Sequence, residues 1–120
     1  MSKNSDYRDL VAWKRSIELV PMVYEILKGF PKHETYALSD QIRRAVVSIP
    51  ANIAEGQARQ HPKEFLQHLA IAKGSLAELH TLLVVSEKLN YIDQKALESL
   101  EGNLTGVRRP LSGLMAHLRK

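Results

Sequence analysis

Ser39-Asp40-Gln41-Ile42-Arg43-Arg44-Ala45-Val46-Val47-Ser48-Ile49-Pro50-Ala51-Asn52-Ile53-Ala54-Glu55-Gly56 decides the fold. Ile42, Val46, Ile49 and Ile53 recur at steps of four, three and four, the spacing of an apolar seam along one face of a helix. A proline stands inside the seam, and the seam continues past it. Pro50 removes one backbone donor and crowds the carbonyl four residues earlier, at about 3 kcal/mol in an isolated helix. Only packing against other elements can offset that, so the segment reads as a helix held in a bundle rather than alone.

Working outward, the same spacing returns three times. Leu10, Trp13, Ile17, Val20, Tyr24 and Leu27 form a stripe before it. Phe65, Leu69, Ala72, Leu76, Leu79 and Leu83 form one after it, and Leu97, Leu100, Leu104, Val107, Leu111, Leu114 and Leu118 form the last. Period-two alternation is not sustained anywhere, which argues against strands. The expected helices cover approximately 8–29, 39–58, 62–89 and 93–119, within one domain spanning 1–120.

The breaks have chemical reasons. Gly29-Phe30-Pro31 offers a left-handed cap followed by a residue that cannot extend a helix. Ser39 is a candidate N-cap, with Asp40 in the first turn. His61-Pro62 places proline at the first helical position, and Asp93 can cap the fourth helix. Pro21 and Pro110 are read, like Pro50, as kinks rather than ends; Pro21 could instead break the first helix. Short links make successive helices antiparallel neighbours. The reading is all-α: an antiparallel up-down-up-down four-helix bundle.

Apolar residues also exceed one face. Leu82-Leu83-Val84-Val85, Val46-Val47 and Leu69-Ala70-Ile71-Ala72 wrap around their helices. A single bundle of this size does not bury all of that, so a homo-oligomer is expected.

Catalytic patterns are sought and not found. The chain has no cysteine, which removes disulfides, thiolate metal sites and cysteine nucleophiles. His33, His61, His68, His80 and His117 show no paired ligand spacing, and Glu64 with His68 is one residue too long for a Glu-x-x-His metal motif. Neither a P-loop nor Gly-x-Gly-x-x-Gly occurs. The expectation is a protein that is not an enzyme and carries no cofactor and no metal. Asn52 reads as structural, fixing helix register or satisfying a carbonyl freed by Pro50; Gly74 reads as permitting close helix approach. The N-terminus runs into no apolar leader, and no uninterrupted apolar stretch is long enough to span a bilayer, so a cytoplasmic protein without a membrane role is expected.

Charge is the remaining signal. The 120 residues carry a net charge of +4. Arg108-Arg109 and Arg119-Lys120 stand in the last helix, which has no acid after Glu101. Such a one-sign patch can neutralise phosphates without reading sequence. Arg59 and Lys63 flank the turn between the second and third helices. Arg43 and Arg44 have two readings, salt bridging or phosphate contact.

The segment quoted first resembles the central motif of the 23S rRNA-intervening-sequence (S23-like) four-helix-bundle proteins, a Pro50-Ala51-Asn52-Ile53-Ala54-Glu55-Gly56 run inside a helix being unusual. Asp9-Leu10-Val11-Ala12-Trp13 resembles the start of that family, and Glu64-Phe65-Leu66 with Ile71-Ala72-Lys73-Gly74-Ser75-Leu76-Ala77-Glu78-Leu79 resembles its third helix. Pro50 and Gly56, with Asn52 and Gly74, are read as structural positions, and the chain departs from the family's pattern at Pro21. The likeness implies a barrel-like homopentamer. It also implies kinship with the accessory variability proteins of diversity-generating retroelements, which bind a reverse transcriptase and nucleic acid through a basic surface. Two functions follow as expectations. One is a non-catalytic oligomer that binds RNA or a ribonucleoprotein. The other is a protein–protein adaptor, for example for a reverse transcriptase, with no direct nucleic-acid role.

Overall fold

A computed structural model describes residues 6–120. The leaderless reading of Met1–Ser5 lies outside the described residues. Four helices account for most of the chain: α1 (Val11–Leu27), α2 (Leu38–Ala58), α3 (Pro62–Lys88) and α4 (Gln94–Leu118). No strand occurs among the described residues. Each helix packs against two others in the cyclic order α1–α2–α3–α4, with α2 and α3 in closest contact. The bundle measures 46 × 25 × 21 Å.

The connections differ from the cap reading in detail. Residues 8–10 are not α-helical; Tyr7–Asp9 is a 3-10 turn capped by Asp6. Gly29 is not left-handed, since no glycine has a positive φ. The left-handed residues are Gln60 and Asn90, which turn the chain at the two tightest joins. α2 starts at Leu38, one residue before the expected cap, and the Glu34 carboxylate accepts the Leu38 N–H at 3.3 Å. Asp93 does cap α4, accepting from the Ala96 N–H at 2.8 Å. Tyr91 ties the two loops of one end together. Its hydroxyl donates to Glu34 Oε2 at 2.8 Å, and its ring lies 5.1 Å from that of Phe30. That hydrogen bond, foremost, holds the Tyr91 phenol above its ordinary pKa.

The three internal prolines are accommodated in different ways. α1 runs unbroken through Pro21, which faces outward, where water can reach the Ile17 carbonyl it leaves unpaired. Pro110 frees the carbonyl of Gly106, and Arg15 Nη1 from α1 donates to that oxygen at 2.9 Å. Pro50 is buried and leaves the Val46 carbonyl without its helical donor. Asn52 does not replace it: its amide reaches the Ser48 carbonyl, at 2.9 Å.

The core holds Ile42, Val46, Ile49 and Ile53 of α2, Leu69 through Leu83 of the α3 seam, and Leu97 through Leu111 of α4. At the end of α4 the buried residue is Met115, while Leu114 and Leu118 flank it half-buried. α1 departs most. Its buried face is Ala12, Ser16, Leu19 and Val23, rotated from the expected stripe. Ser16 is admitted because its hydroxyl donates to the Trp13 carbonyl at 2.8 Å. The displaced stripe leaves Ile17 and Tyr24 each 41% exposed. Arg15 marks the flank of α1 that faces α4, so Ile17, Val20 and Tyr24 lie on the flank towards α2. Val47, 44% exposed, lies on the flank of α2 away from α3, so helix geometry turns these apolar residues of α1 and α2 to the same side of the bundle.

α3 alone among the described residues has the length and apolar content of a membrane span. Its seam faces the core, and Ala70, Ile71, Gly74, Ala77 and Val85 face out. Gly74 therefore does not serve close packing; a Cβ there would meet nothing within 4 Å. Gly74→Ala is expected to stabilise the protein by about 1 kcal/mol through helix propensity, read as a higher urea midpoint at unchanged slope.

Candidate functional site

The antiparallel topology sorts the cations by position. Arg59, Lys63, Arg119 and Lys120 gather at the end of the bundle opposite the Tyr91 loops, where α2 and α4 finish and α3 begins. Arg43 and Arg44 stand near the other end of α2, away from them. Arg108 and Arg119 are eleven residues apart on one line of α4, about 16 Å along the axis. Arg119 and Lys120 do not lie within the last helix as the sequence suggests: α4 ends at Leu118, so Arg119 is its C-cap and Lys120 lies beyond it.

Partners divide the same residues differently. Arg43 donates to the Thr35 carbonyl at 2.7 Å and lies 3.6 Å from Asp40, with its side chain only 29% exposed. Arg44 meets Asp40 at 3.0 Å. Arg59 bridges Glu55 at 3.0 Å and Glu64 at 3.2 Å, and these hydrogen bonds, the Glu55 one first, raise its guanidinium pKa further. For Arg43 and Arg44 the salt-bridge reading describes the geometry. Lys63, Arg108, Arg109, Arg119 and Lys120 have no ion-pair or hydrogen-bond partner for their side chains among the described residues, and all are exposed. Unpaired cations repel one another weakly in water, and each releases counterions when a phosphate replaces them.

Around the Pro50–Gly56 motif, chemistry has been given over to packing. Asn52 Nδ2 donates to the Ser48 carbonyl and hydroxyl, and Asn52 Oδ1 lies 3.1 Å from His68 Nδ1 across the α2–α3 contact. Ser48 Oγ meets Ser75 Oγ at 2.9 Å. Gly56 lets the helices touch: a Cβ there would fall 2.6 Å from His68 Cβ. Every buried side-chain nitrogen and oxygen among the described residues has a hydrogen-bond partner. The motif therefore fixes register.

A second feature was invisible in the sequence. A cleft of about 370 Å³ opens between α3 and α4. Leu76 and Leu104 form its floor, Lys73 and Arg108 stand together at one end, and His80 and Glu101 at the other. His80 Nε2 donates to Glu101 Oε2 at 2.8 Å. Each of these pairs is split between helices, so no linear spacing announces them; only the α3–α4 register brings them level. Among the described residues no group of three or more His, Cys, Asp or Glu could hold a metal.

These features define an all-α, four-helix-bundle protein with a packed central motif and unpaired cations in the second half of its last helix and just past it. Residues 8–113 match the 23S rRNA-intervening sequence protein family, and the chain belongs to that family. The fold is similar to the crystal structure of a protein of unknown function from the S23 ribosomal protein family of Bacteroides thetaiotaomicron. The TM-score is 0.78 and the identity 26%, over 88% of this chain and 98% of that one. No curated protein matches the chain.

Proposed function

We propose that this chain is a non-catalytic, homo-oligomeric bundle protein, a pentamer by analogy with the architecture its motif resembles, that binds structured RNA or a ribonucleoprotein through α4. The observation that carries the reading is the set of unpaired cations Arg108 and Arg109 on α4 and Arg119 and Lys120 just past its end, in contrast to Arg43, Arg44 and Arg59, which are already bonded to acids or backbone. Lys63, unpaired at the same end as Arg119, extends the surface; Arg59 would have to leave Glu55 and Glu64 to join it. Cytoplasmic RNA is the partner in this reading.

Fluorescence anisotropy on a labelled RNA hairpin across a salt series tests it. Four phosphate contacts predict a log–log slope of about −3, between the per-contact values for single strands and duplex. Arg108→Glu with Arg109→Glu should remove binding while far-ultraviolet circular dichroism stays unchanged. A flat salt response in the parent protein is incompatible with the reading.

The outward apolar face of α1 and α2 favours a second reading, in which the true ligand is a protein such as a reverse transcriptase of the diversity-generating type. Charge would then steer association. A partner retained on the protein after nuclease treatment supports that adaptor role.

A further inference from the structure

The α3–α4 cleft has two chemically different ends. The helices run antiparallel, with Lys73 level with Arg108 and His80 level with Glu101. Seven residues separate the two rungs along each helix, about 10 Å. Between them the floor is Leu76 and Leu104, with the Thr105 hydroxyl on the lining. Lys73 and Arg108 have no acidic partner among the described residues, whereas Glu101 spends one oxygen on His80 and keeps the other free to accept.

We infer that this cleft binds a nucleoside monophosphate unit, with the phosphate at Lys73 and Arg108 and the base lying over the floor formed by Leu76 and Leu104, its N–H edge on Glu101. The inference goes beyond the phosphate-gripping surface proposed above and shares only Arg108 with it.

Four features select that ligand. A guanidinium and an ammonium line the same end of the cleft, where both can reach one anion, and the guanidinium can take two phosphate oxygens at once. Leu76 and Leu104 form an aliphatic floor on which one face of a planar ring can rest, and about 370 Å³ falls in the range of small-molecule sites. Adenine, guanine and cytosine carry amino donors, and uracil an imide N–H, so each base has a hydrogen for a carboxylate. His80 holds that carboxylate in place from the far side. A fatty acid would use the cationic end and the floor but would leave Glu101 facing hydrocarbon. A divalent metal would find one carboxylate and one imidazole, too few ligands. The outward apolar face of α1 and α2 lies on the other side of the bundle, so self-association there leaves the cleft open.

The unit could be a free nucleotide or the 5′-terminal nucleotide of an RNA strand, and the test separates them. Isotope-labelled protein is titrated with AMP, GMP, CMP and UMP, with inorganic phosphate, and with a short RNA bearing either a 5′-phosphate or a 5′-hydroxyl. Signals from the His80 ring and the Leu104 and Thr105 methyls report on the cleft. At least one nucleotide, or the 5′-phosphorylated RNA, should give saturable shifts at all three. Tighter binding of the free nucleotide or of the phosphorylated strand names the source.

Ala77 lies exposed on the lining, so Ala77→Phe fills the cleft without entering the core. Affinity should fall at least tenfold in Ala77→Phe and again in Lys73→Glu, with circular dichroism unchanged. Thr105→Trp fills the cleft from the other helix and guards against a folding defect in the first variant. The inference is overturned if no nucleotide or phosphorylated RNA shifts these signals at millimolar concentration. It is also overturned if inorganic phosphate binds as tightly as AMP, or if both filled variants bind like the parent. Arg109→Glu with Arg119→Glu distinguishes this failure from failure of the broader reading. That pair should weaken salt-dependent RNA binding and leave AMP binding intact.

Discussion

Gly56→Val is expected to cost about 3 kcal/mol or more and to part α2 from α3 near the end of the bundle. The cause is geometric. A Cβ on residue 56 would sit 2.6 Å from His68 Cβ and 3.1 Å from Phe65 Cδ1. Phe65 can swing its ring aside, but His68 Cβ is fixed to its own backbone and cannot. The helices themselves must move. Overpacking of this kind typically costs 1–3 kcal/mol, and the two γ-carbons of valine deepen the clash. Helix propensity returns only about 0.5 kcal/mol of that, since valine is a weaker helix former than alanine. A domain with a total stability of 5–15 kcal/mol loses a large share of it. Urea unfolding should show a lower midpoint, and the His68–Asn52 bond should disappear from the imidazole spectrum. Gly56→Ala should fall in the same direction by less, opposite in sign to Gly74→Ala. If Gly56→Val unfolds at the parent midpoint, α2 and α3 are not in contact at this point in solution.

The contrast between those two glycines marks the limit of what a linear reading can deliver. Both lie inside helices with apolar neighbours, and the sequence says only that each lacks a side chain. What separates them is rotation: Gly56 turns towards His68, and Gly74 turns to open space. The same physics explains α1. Seams on α2, α3 and most of α4 could be read because their inward positions are also their most apolar ones. On α1 two heptad stripes compete, and the buried one contains Ala12 and Ser16. Hydrophobicity alone prefers the stripe with Trp13, Ile17 and Tyr24. The choice is decided instead by space, since small residues let α1 approach its neighbours and the Ser16 hydroxyl is satisfied within its own helix. The cations show a third case. Their identity was legible, but whether Arg59 is held by Glu55 and Glu64 depends on a turn placing α3 beside α2. The His80–Glu101 pair, separated by 21 residues, depends entirely on register.

The stripe displaced from the α1 core leads to the second large effect. Ile17→Glu combined with Val47→Glu is expected to convert the proposed oligomer into a monomer of 13.6 kDa, seen by light scattering, with helix content intact. Both side chains are about two-fifths exposed within one chain, so neither substitution buries a charge in the bundle core. A second copy covering that face would bury both carboxylates without partners, and desolvating a charge costs several kcal/mol each. Trp13, Val20 and Leu27 sit half-buried beside them and widen the contact. In the proposed RNA-binding role, loss of assembly then propagates to affinity. Each chain contributes only a few unpaired cations, and linked copies multiply weak contacts into avidity gains of about 10²–10⁴ without any new contact. The double variant should therefore lose RNA affinity by roughly that factor while keeping every α4 cation. AMP binding in the α3–α4 cleft should not change, because the cleft is complete within one chain. A parent protein that already scatters as a monomer removes the premise. A variant that stays oligomeric moves the interface elsewhere, with the outer face of α3, where Ile71 and Val85 are exposed, as the next surface to charge.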